Sequence, residues 1–526
     1  MKIIAVFTLL TGIAIHPLAN AEEPTTQPTI GSQSTSNDTS AVEELVREMA
    51  ERKTEIEVLR KALEEERSTR FLSEKADCDL DCVNALMEES KVPEVAGYYG
   101  GHLFIRSLNN GLRLSPRMRL HVDGVAYAPA FDQPGQPTHS IFLRRARLEM
   151  NAGLFQEKVD AHLSGEFAKA GGPIIADAWV RWNAHPLIHL KVGRYNAPFS
   201  MENLVSDLWT DFIERSALVR NFAPTSKSVG AQVSGVIGDQ FLTYRVGVFN
   251  GDKGEIRNLD NAFDVIGRFT IQPLTSQDSV LRKLRLGASF SGSQRSGTNH
   301  PSLGGDHKPG GWLNTSTGYS FLTSIYPASD GKDTKIGLVP EGLGLSIGGD
   351  IDLPLDRFFV RAEYIHKESD INENILHAGV ALRSGGKMTS DGAYLTIGYW
   401  AVGRRGDIPR SGSVSSPKAI PLTLNKEDQK IASDALKLQV ALRGEILHSA
   451  YEAGKDSGTH GFGPGRLDGD YTMLVSTVGA NLWWTRHLRF SVNYTLNWVD
   501  KDSNFNLPEP GQNLVNEFAF RTALQF

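Results

Sequence analysis

The sequence predicts an all-β chain: a transmembrane antiparallel β-barrel of 16 or 18 strands, preceded by a short N-terminal α-helical coiled coil. Three observations predict it. Segments of ten or more residues alternate between apolar and polar side chains, a secretory leader precedes them, and the last alternating segment closes on an aromatic residue, Phe526. The 526 residues are 40% hydrophobic, with 51 glycines, 24 prolines, 2 cysteines and a formal net charge of −6. This is too long for one ordinary domain and too mixed for a disordered or collagen-like chain. No apolar run reaches the roughly 18 residues a spanning helix needs, whereas a tilted barrel strand needs only about 10 and turns only alternate side chains to lipid.

The N-terminus sets the compartment. Met1-Lys2 is a short positive start, Ile3 to Ile15 is mainly apolar, and Leu18-Ala19-Asn20-Ala21 supplies small residues before Glu22. Residues 1–21 therefore read as a cleaved secretory signal. Charge then divides the chain: residues 1–96 hold 10 Lys+Arg against 19 Asp+Glu, and residues 97–526 hold 45 against 42. Residues 22–40, rich in Thr, Ser, Gln and Pro, form a flexible linker with too little apolar surface to fold. Over 41–77, Val42, Leu45, Met49, Ile56, Leu59 and Leu63 recur at spacings of three and four, with Arg52 and Glu66 at the remaining seam positions. That is a short coiled-coil helix, and self-association of copies buries its seam.

Residues 78–110 are a periplasmic connection. Within it Cys78 and Cys82 stand four apart in an oxidising compartment, a candidate disulfide that closes locally or links neighbouring copies. No second cysteine pair or His-x-x-His supplies further ligands, so no metal is expected.

From residue 111 to 526 the period becomes two. Leu112 to Asp123 places every apolar residue at an even position, and Leu488 to Trp498 and Phe518 to Phe526 repeat the alternation with aromatics near the ends. An apolar outside, a polar inside and aromatic girdles describe an outer-membrane barrel. Tight turns at 154–158, 185–187, 238–240, 353–356 and 485–487 mark the periplasmic end. Long connections near 125–140, 196–225, 291–340, 404–434 and 450–469 mark the cell exterior. This phase leaves Gly97–Ser107 outside the barrel proper. Seventeen segments then remain; an odd number cannot return both ends to the periplasm, so either a strand is hidden in 404–434 or one segment is not a strand. Phe526, closing the final amphipathic strand, reads as the signal for the outer-membrane assembly machinery. The location is a Gram-negative outer membrane, with the N-terminal helix in the periplasm.

Four segments in order, Phe142 to Leu148, Leu190 to Phe199, Ile213-Glu214-Arg215-Ser216 and Val248-Phe249-Asn250-Gly251, resemble the phosphate-selective porin O and P family. The resemblance covers roughly Gly97 to Phe526. It implies a trimeric, 16-stranded outer-membrane channel for anions, with arginines along the pore and an inward loop narrowing it.

Phasing the strands places Arg113, Arg117, Arg119, Arg145, Arg147, Arg181, Lys191, Arg245 and Arg268 on the lumen side, with Arg285, Arg361, Arg443, Arg489 and Arg521. Guanidinium groups lining a narrow path hand on oxyanions through forked hydrogen bonds. Acids share those faces: Asp123, Glu149, Asp160, Glu166, Asp177, Glu363, Glu445 and Glu517. The five arginines from Arg113 to Arg147 argue best for an anion path, since only Asp123 and Glu149 are near them in sequence. Arg194 falls out of phase with Lys191, at a bulge or a loop root. After the fifth strand, the long loop 196–225 carries Glu202, Asp207, Asp211 and Arg215 and is placed to form the constriction. Its excess of acids tells against a strongly phosphate-selective opening.

Lone histidines near serines, such as His162 and His448, give little support to an enzyme. No Gly-rich phosphate loop, cofactor motif or concentrated basic domain occurs, so neither cofactor nor nucleic acid is expected. The expectation is a passive channel for small hydrophilic solutes with a lean toward anions. A general non-selective porin and a barrel serving as an envelope anchor are the alternatives.

Overall fold

The computed structural model describes residues 95–526 except 100–101, 110, 130–137, 170, 225–226, 252–257, 259–261, 276–278, 296–312, 323–324, 328–334, 376–379, 404–435, 457–467, 486 and 501–511; before residue 95 it describes only Val58, Lys61 and Ala62. The chain divides into two units, Met1–Lys91 and Val92–Phe526. In the first, the three described residues are helical. The signal, the linker, the seam residues and Cys78 and Cys82 lie outside the described residues.

The second unit is one antiparallel sheet closed on itself. Two short strands, β1 (Ala96–Tyr99) and β2 (His102–Arg106), form a hairpin ahead of the ring. The ring begins with β3 (Leu112–Ala128), β4 (His139–Leu154), β5 (Val159–Glu166), β6 (Ile174–His185), β7 (Ile188–Asn196) and β8 (Lys227–Ile237). It continues through β9 (Leu242–Phe249), β10 (Asp264–Ile271) and β11 (Arg285–Arg295). A three-residue strand, β12 (Ile325–Pro327), precedes β13 (Lys335–Leu355), β14 (Phe358–Ile375), β15 (Val380–Val402) and β16 (Lys437–Glu452). After the two-residue β17 (Lys455–Asp456) come β18 (Gly469–Trp483), β19 (Leu488–Val499) and β20 (Leu514–Gln525). β20 pairs with β3 from Gln525↔Arg119 to Asn516↔Ala128, which closes a ring of 16 strands with β1, β2, β12 and β17 as additions.

Closure leaves no sheet edge within the ring and satisfies every ladder group internally, as lipid demands. The outward positions fit that surround: Leu148, Val180, Val192, Val248, Ile347, Leu442 and Val478 are exposed and apolar. The ring is uneven in height. β5, β7, β9 and β10 have 8 or 9 residues, near the minimum that crosses a bilayer, while β13 to β15 have 18 to 23.

One expectation is corrected. The long connection 404–435 joins β15 to β16 at the end that carries the tight turns, where Trp400 N–H donates to Arg357 and Val402 opposes Leu438. β15 and β16 are direct neighbours, so no ring strand lies between them and the ring keeps an even count. The segment placed outside the barrel proper is outside the ring of 16 but still forms strands, β1 and β2, and β2 pairs with β3 at Ile105↔Leu114 and Arg106↔Arg113.

The polar lumen also gives way on one side. Ile365, Met388, Leu447, Met473 and Val475 point inward from β14 to β18 and join a buried cluster with Leu218, Val219 and Phe222 of an inserted loop. Alternation in sequence marks the two faces of a strand. It does not reveal that the inner face is covered by protein rather than water.

Candidate functional site

The site is built by the connection between β7 and β8, residues 197–226, which folds into the barrel. Its core is one short helix, α1 (Ala217–Phe222), started by Ser216, whose hydroxyl accepts from the Val219 N–H at 3.2 Å. Glu202 carries that start: its carboxylate accepts from the Ser216 N–H at 2.9 Å and hydroxyl at 2.5 Å. Arg215 braces the turn from within, donating to the carbonyls of Glu202 at 3.1 Å and Val205 at 2.8 Å. The helix then packs on the tall wall, where inward Gly392 leaves it room: a Cβ there would stand 2.6 Å from Leu218 Cδ1 and 2.9 Å from Phe222 Cε2.

Charged side chains staple the loop to opposite sides of the lumen. On β3 and β4, Arg119 and Arg145 both pair with Asp207. Nearby, Arg144 and Arg521 hold Glu214 at 2.9 and 3.2 Å. Across the lumen, Arg361 pairs with Asp211 at 2.6 Å, Gln439 donates to the same carboxylate at 2.8 Å, and Arg443 meets Glu202 at 3.1 Å. Arg489 donates to the carbonyls of Leu208, Thr210 and Asp207 at 3.0, 3.2 and 3.3 Å. Burial pushes the Asp207 carboxyl up, but Arg119 and Arg145 outweigh it and hold the group well below the usual carboxylate range. Glu214, buried likewise, is held down by Arg144 and Arg521. Each acid of the loop is therefore matched by a cation of the wall.

The arginines singled out in the sequence divide by partner. Arg113 pairs with Glu157 at 2.6 Å, Arg119 also with Glu149 at 2.6 Å, and Arg147 with Glu166 at 3.1 Å, a carboxylate that Arg145 reaches at 3.4 Å. The cluster from Arg113 to Arg147 is thus not the unopposed cationic patch its local sequence suggests, because strand pairing and the loop bring Glu157, Glu166 and Asp207 to it. Arg181 pairs with Asp160 at 2.7 Å and Arg268 with Asp350 at 2.8 Å. Arg245 opposes Arg268 in register.

Two predicted cations have no ion pair among the described residues. Arg117 projects inward between Arg113 and Arg119. Lys191 rests its ammonium over the faces of Trp179 and Tyr195, 3.9 and 4.0 Å from their centroids, where the ring quadrupoles hold it without neutralising it. Arg194 is buried just after Gly193, whose φ of +130° breaks the strand's phase, and its Nε donates to the Ala176 carbonyl at 3.4 Å.

Some contributors were missed in the sequence. Arg144 and Arg145 both turn inward because Arg144 is the extra residue of a bulge: the register steps from His121↔Arg145 to Val122↔Leu143. Two adjacent arginines in an alternating strand were the available signal. Glu157 reaches Arg113 from the tight turn Phe155–Glu157, where three successive residues have positive φ. His121, at the centre of the charged ring, gave no signal in sequence at all.

A family model described as phosphate-selective porin O and P matches residues 117–508. The chain belongs to that family. It is an outer-membrane porin, and family and fold are those of a channel rather than an enzyme. Three of the porin's four resembling segments meet at the inserted loop: Arg144, Asn196, Glu214 and Arg215 each hold it through the contacts above or, for Asn196, through the Asn203 carbonyl at 3.1 Å. Among solved structures, OmpT of Vibrio cholerae, folded in vitro and in trimer form, is 9% identical with a TM-score of 0.46, covering 79% of this chain and all of that one. The outer membrane channel DcaP of Acinetobacter baumannii is 10% identical with a TM-score of 0.43, covering 80% and 99%. An anion-selective porin from Comamonas acidovorans is 10% identical with a TM-score of 0.42, covering 79% and 100%. No curated protein matches the porin.

Proposed function

We propose that this porin is a passive diffusion channel for small hydrophilic solutes that leans toward anions such as phosphate. One observation carries the reading. The acids of the inserted loop are each tied to wall cations, while Arg117, opposite Glu149 in register, and Lys191 face inward without an ion pair among the described residues. In a narrow, partly dehydrated passage such uncompensated charge raises the local concentration of the opposite ion. Glu202, Asp207, Asp211 and Arg215 then serve the constriction by fixing the loop rather than by lending it charge. The coiled-coil seam supports assembly as a homotrimer with the helix in the periplasm.

The reversal potential in a planar bilayer under a KCl gradient, repeated with phosphate added, tests this. A chloride-selective potential is the expected result, with current reduced by phosphate. The ion pairs of Arg113, Arg147, Arg181 and Arg268 favour a second reading, a general porin with a balanced wall, which gives a potential near zero and no block. Absence of any conductance would return the anchor reading.

A further inference from the structure

The Asp207 carboxylate sits where an anion would. Its two oxygens meet Arg119 from β3 and Arg145 from β4. Beside it lies His121, which opposes Arg145 in register, is 0% exposed, and has no hydrogen-bond partner for either ring nitrogen among the described residues. The buried Nε groups of Arg119 and Arg489 likewise have no hydrogen-bond acceptor. Donors in excess of acceptors around one carboxylate are costly in a barrel wall unless something else completes them. The other charges facing the place include Glu149 and Glu166, each already paired, Asp177, Arg147, the Arg144–Glu214 pair and the Arg521–Asp123 pair.

We propose that Asp207 is the resident occupant of an oxyanion pocket formed by Arg119, Arg145, Arg489 and His121, which a permeating oxyanion must displace. This rests on the anion-channel reading and deepens it. The carboxylate is tethered, so it competes at an effective concentration on the order of millimolar, and a free anion below that level loses the pocket. An anion thus passes the pocket only by exchange with Asp207, whose return keeps it from being trapped there. The loop is also held at points other than this carboxylate. Arg489 holds it by three carbonyls, Arg361 by Asp211, and Arg144 and Arg521 by Glu214.

Asp207→Asn is compared with Asp211→Asn, which removes the same charge from the same loop but at the opposite wall, in full-length protein that shows folded migration on gels. Inorganic phosphate is titrated against the chloride current. Block of Asp207→Asn is expected at about tenfold lower phosphate than in the wild type, the scale of one charge-assisted hydrogen bond. Asp211→Asn is expected to match the wild type, and adding Arg145→Gln to Asp207→Asn should cancel the gain. Equal shifts in the two single variants, or no shift in either, would overturn the occupancy. Failure of Asp207→Asn, Asp207→Ser and Asp207→Ala all to fold would overturn it too, by showing that the carboxylate is needed to seat the loop. A cation-selective wild type would instead refute the anion-channel reading beneath it.

Discussion

Arg521 shows how a single side chain joins wall to loop. Its guanidinium takes both oxygens of Asp123 at 2.7 Å and the Ile213 carbonyl at 2.7 Å, all buried, and the half-buried Glu214 at 3.2 Å. Removing one member of a buried pair leaves its partner's charge uncompensated, at a cost of about 3–5 kcal/mol. Arg521→Gln should therefore lower the temperature at which the folded band converts to the unfolded one on gels; an unchanged midpoint would contradict the pairing. Asp207 sets the pH response. Its folded pKa is depressed, so its contribution is complete above the ordinary carboxylate value and is lost only as pH falls through the lower folded one. The seating of the loop by Asp207, read as resistance to added protease, is expected to stay level from pH 7 to about 4 and to weaken below that. A transition centred near neutral pH would contradict this assignment. At this scale the inward phase of Arg113, Arg119 or Arg361 was legible, because alternation depends only on neighbours in the chain. Their partners were not: Glu157, Asp207 and Asp211 arrive through turns and a loop.

The element that folds into the barrel is the insertion between β7 and β8. Its length and its place after the fifth barrel strand were visible in the sequence, since a long connection in a compact domain signals function. Its helix α1, only six residues, was not, because the apolar face of Ala217, Leu218 and Phe222 acquires meaning only against Ile365, Leu447 and Met473 from distant strands. The packing predicts that Gly392→Val drives a side chain into Leu218 and Phe222 and unseats α1 at a cost of about 1–3 kcal/mol, the range for overpacking. Externally added protease should then cut the loop in barrels that still migrate as folded. Resistance equal to the wild type would mean the helix is held elsewhere.

In the whole molecule, closure depends on the two chain ends meeting. β20 covers β3 only from Arg119 to Ala128; below it, β2 takes up the free edge at Arg113 and Leu114. Phe526 sits at this junction, exchanging backbone hydrogen bonds with Met118 at 3.0 and 3.3 Å and stacking on His487, whose ring also meets the Tyr98 hydroxyl at 2.8 Å. Deleting Phe526 should therefore reduce the folded fraction recovered in the outer membrane, while a normal yield would place the assembly signal elsewhere. The barrel class was legible from alternation and turn spacing alone, whereas the end on which 404–435 lies was not, because length is only a statistical guide to sidedness. Arg117 and Lys191 face inward without an ion pair among the described residues, while the loop's acids are matched by wall cations. The most direct measurement is the reversal potential of Arg117→Gln/Lys191→Gln beside the wild type under one KCl gradient. Loss of the chloride preference with conductance retained is the expected result, and an unchanged potential would contradict the reading that these two cations set it.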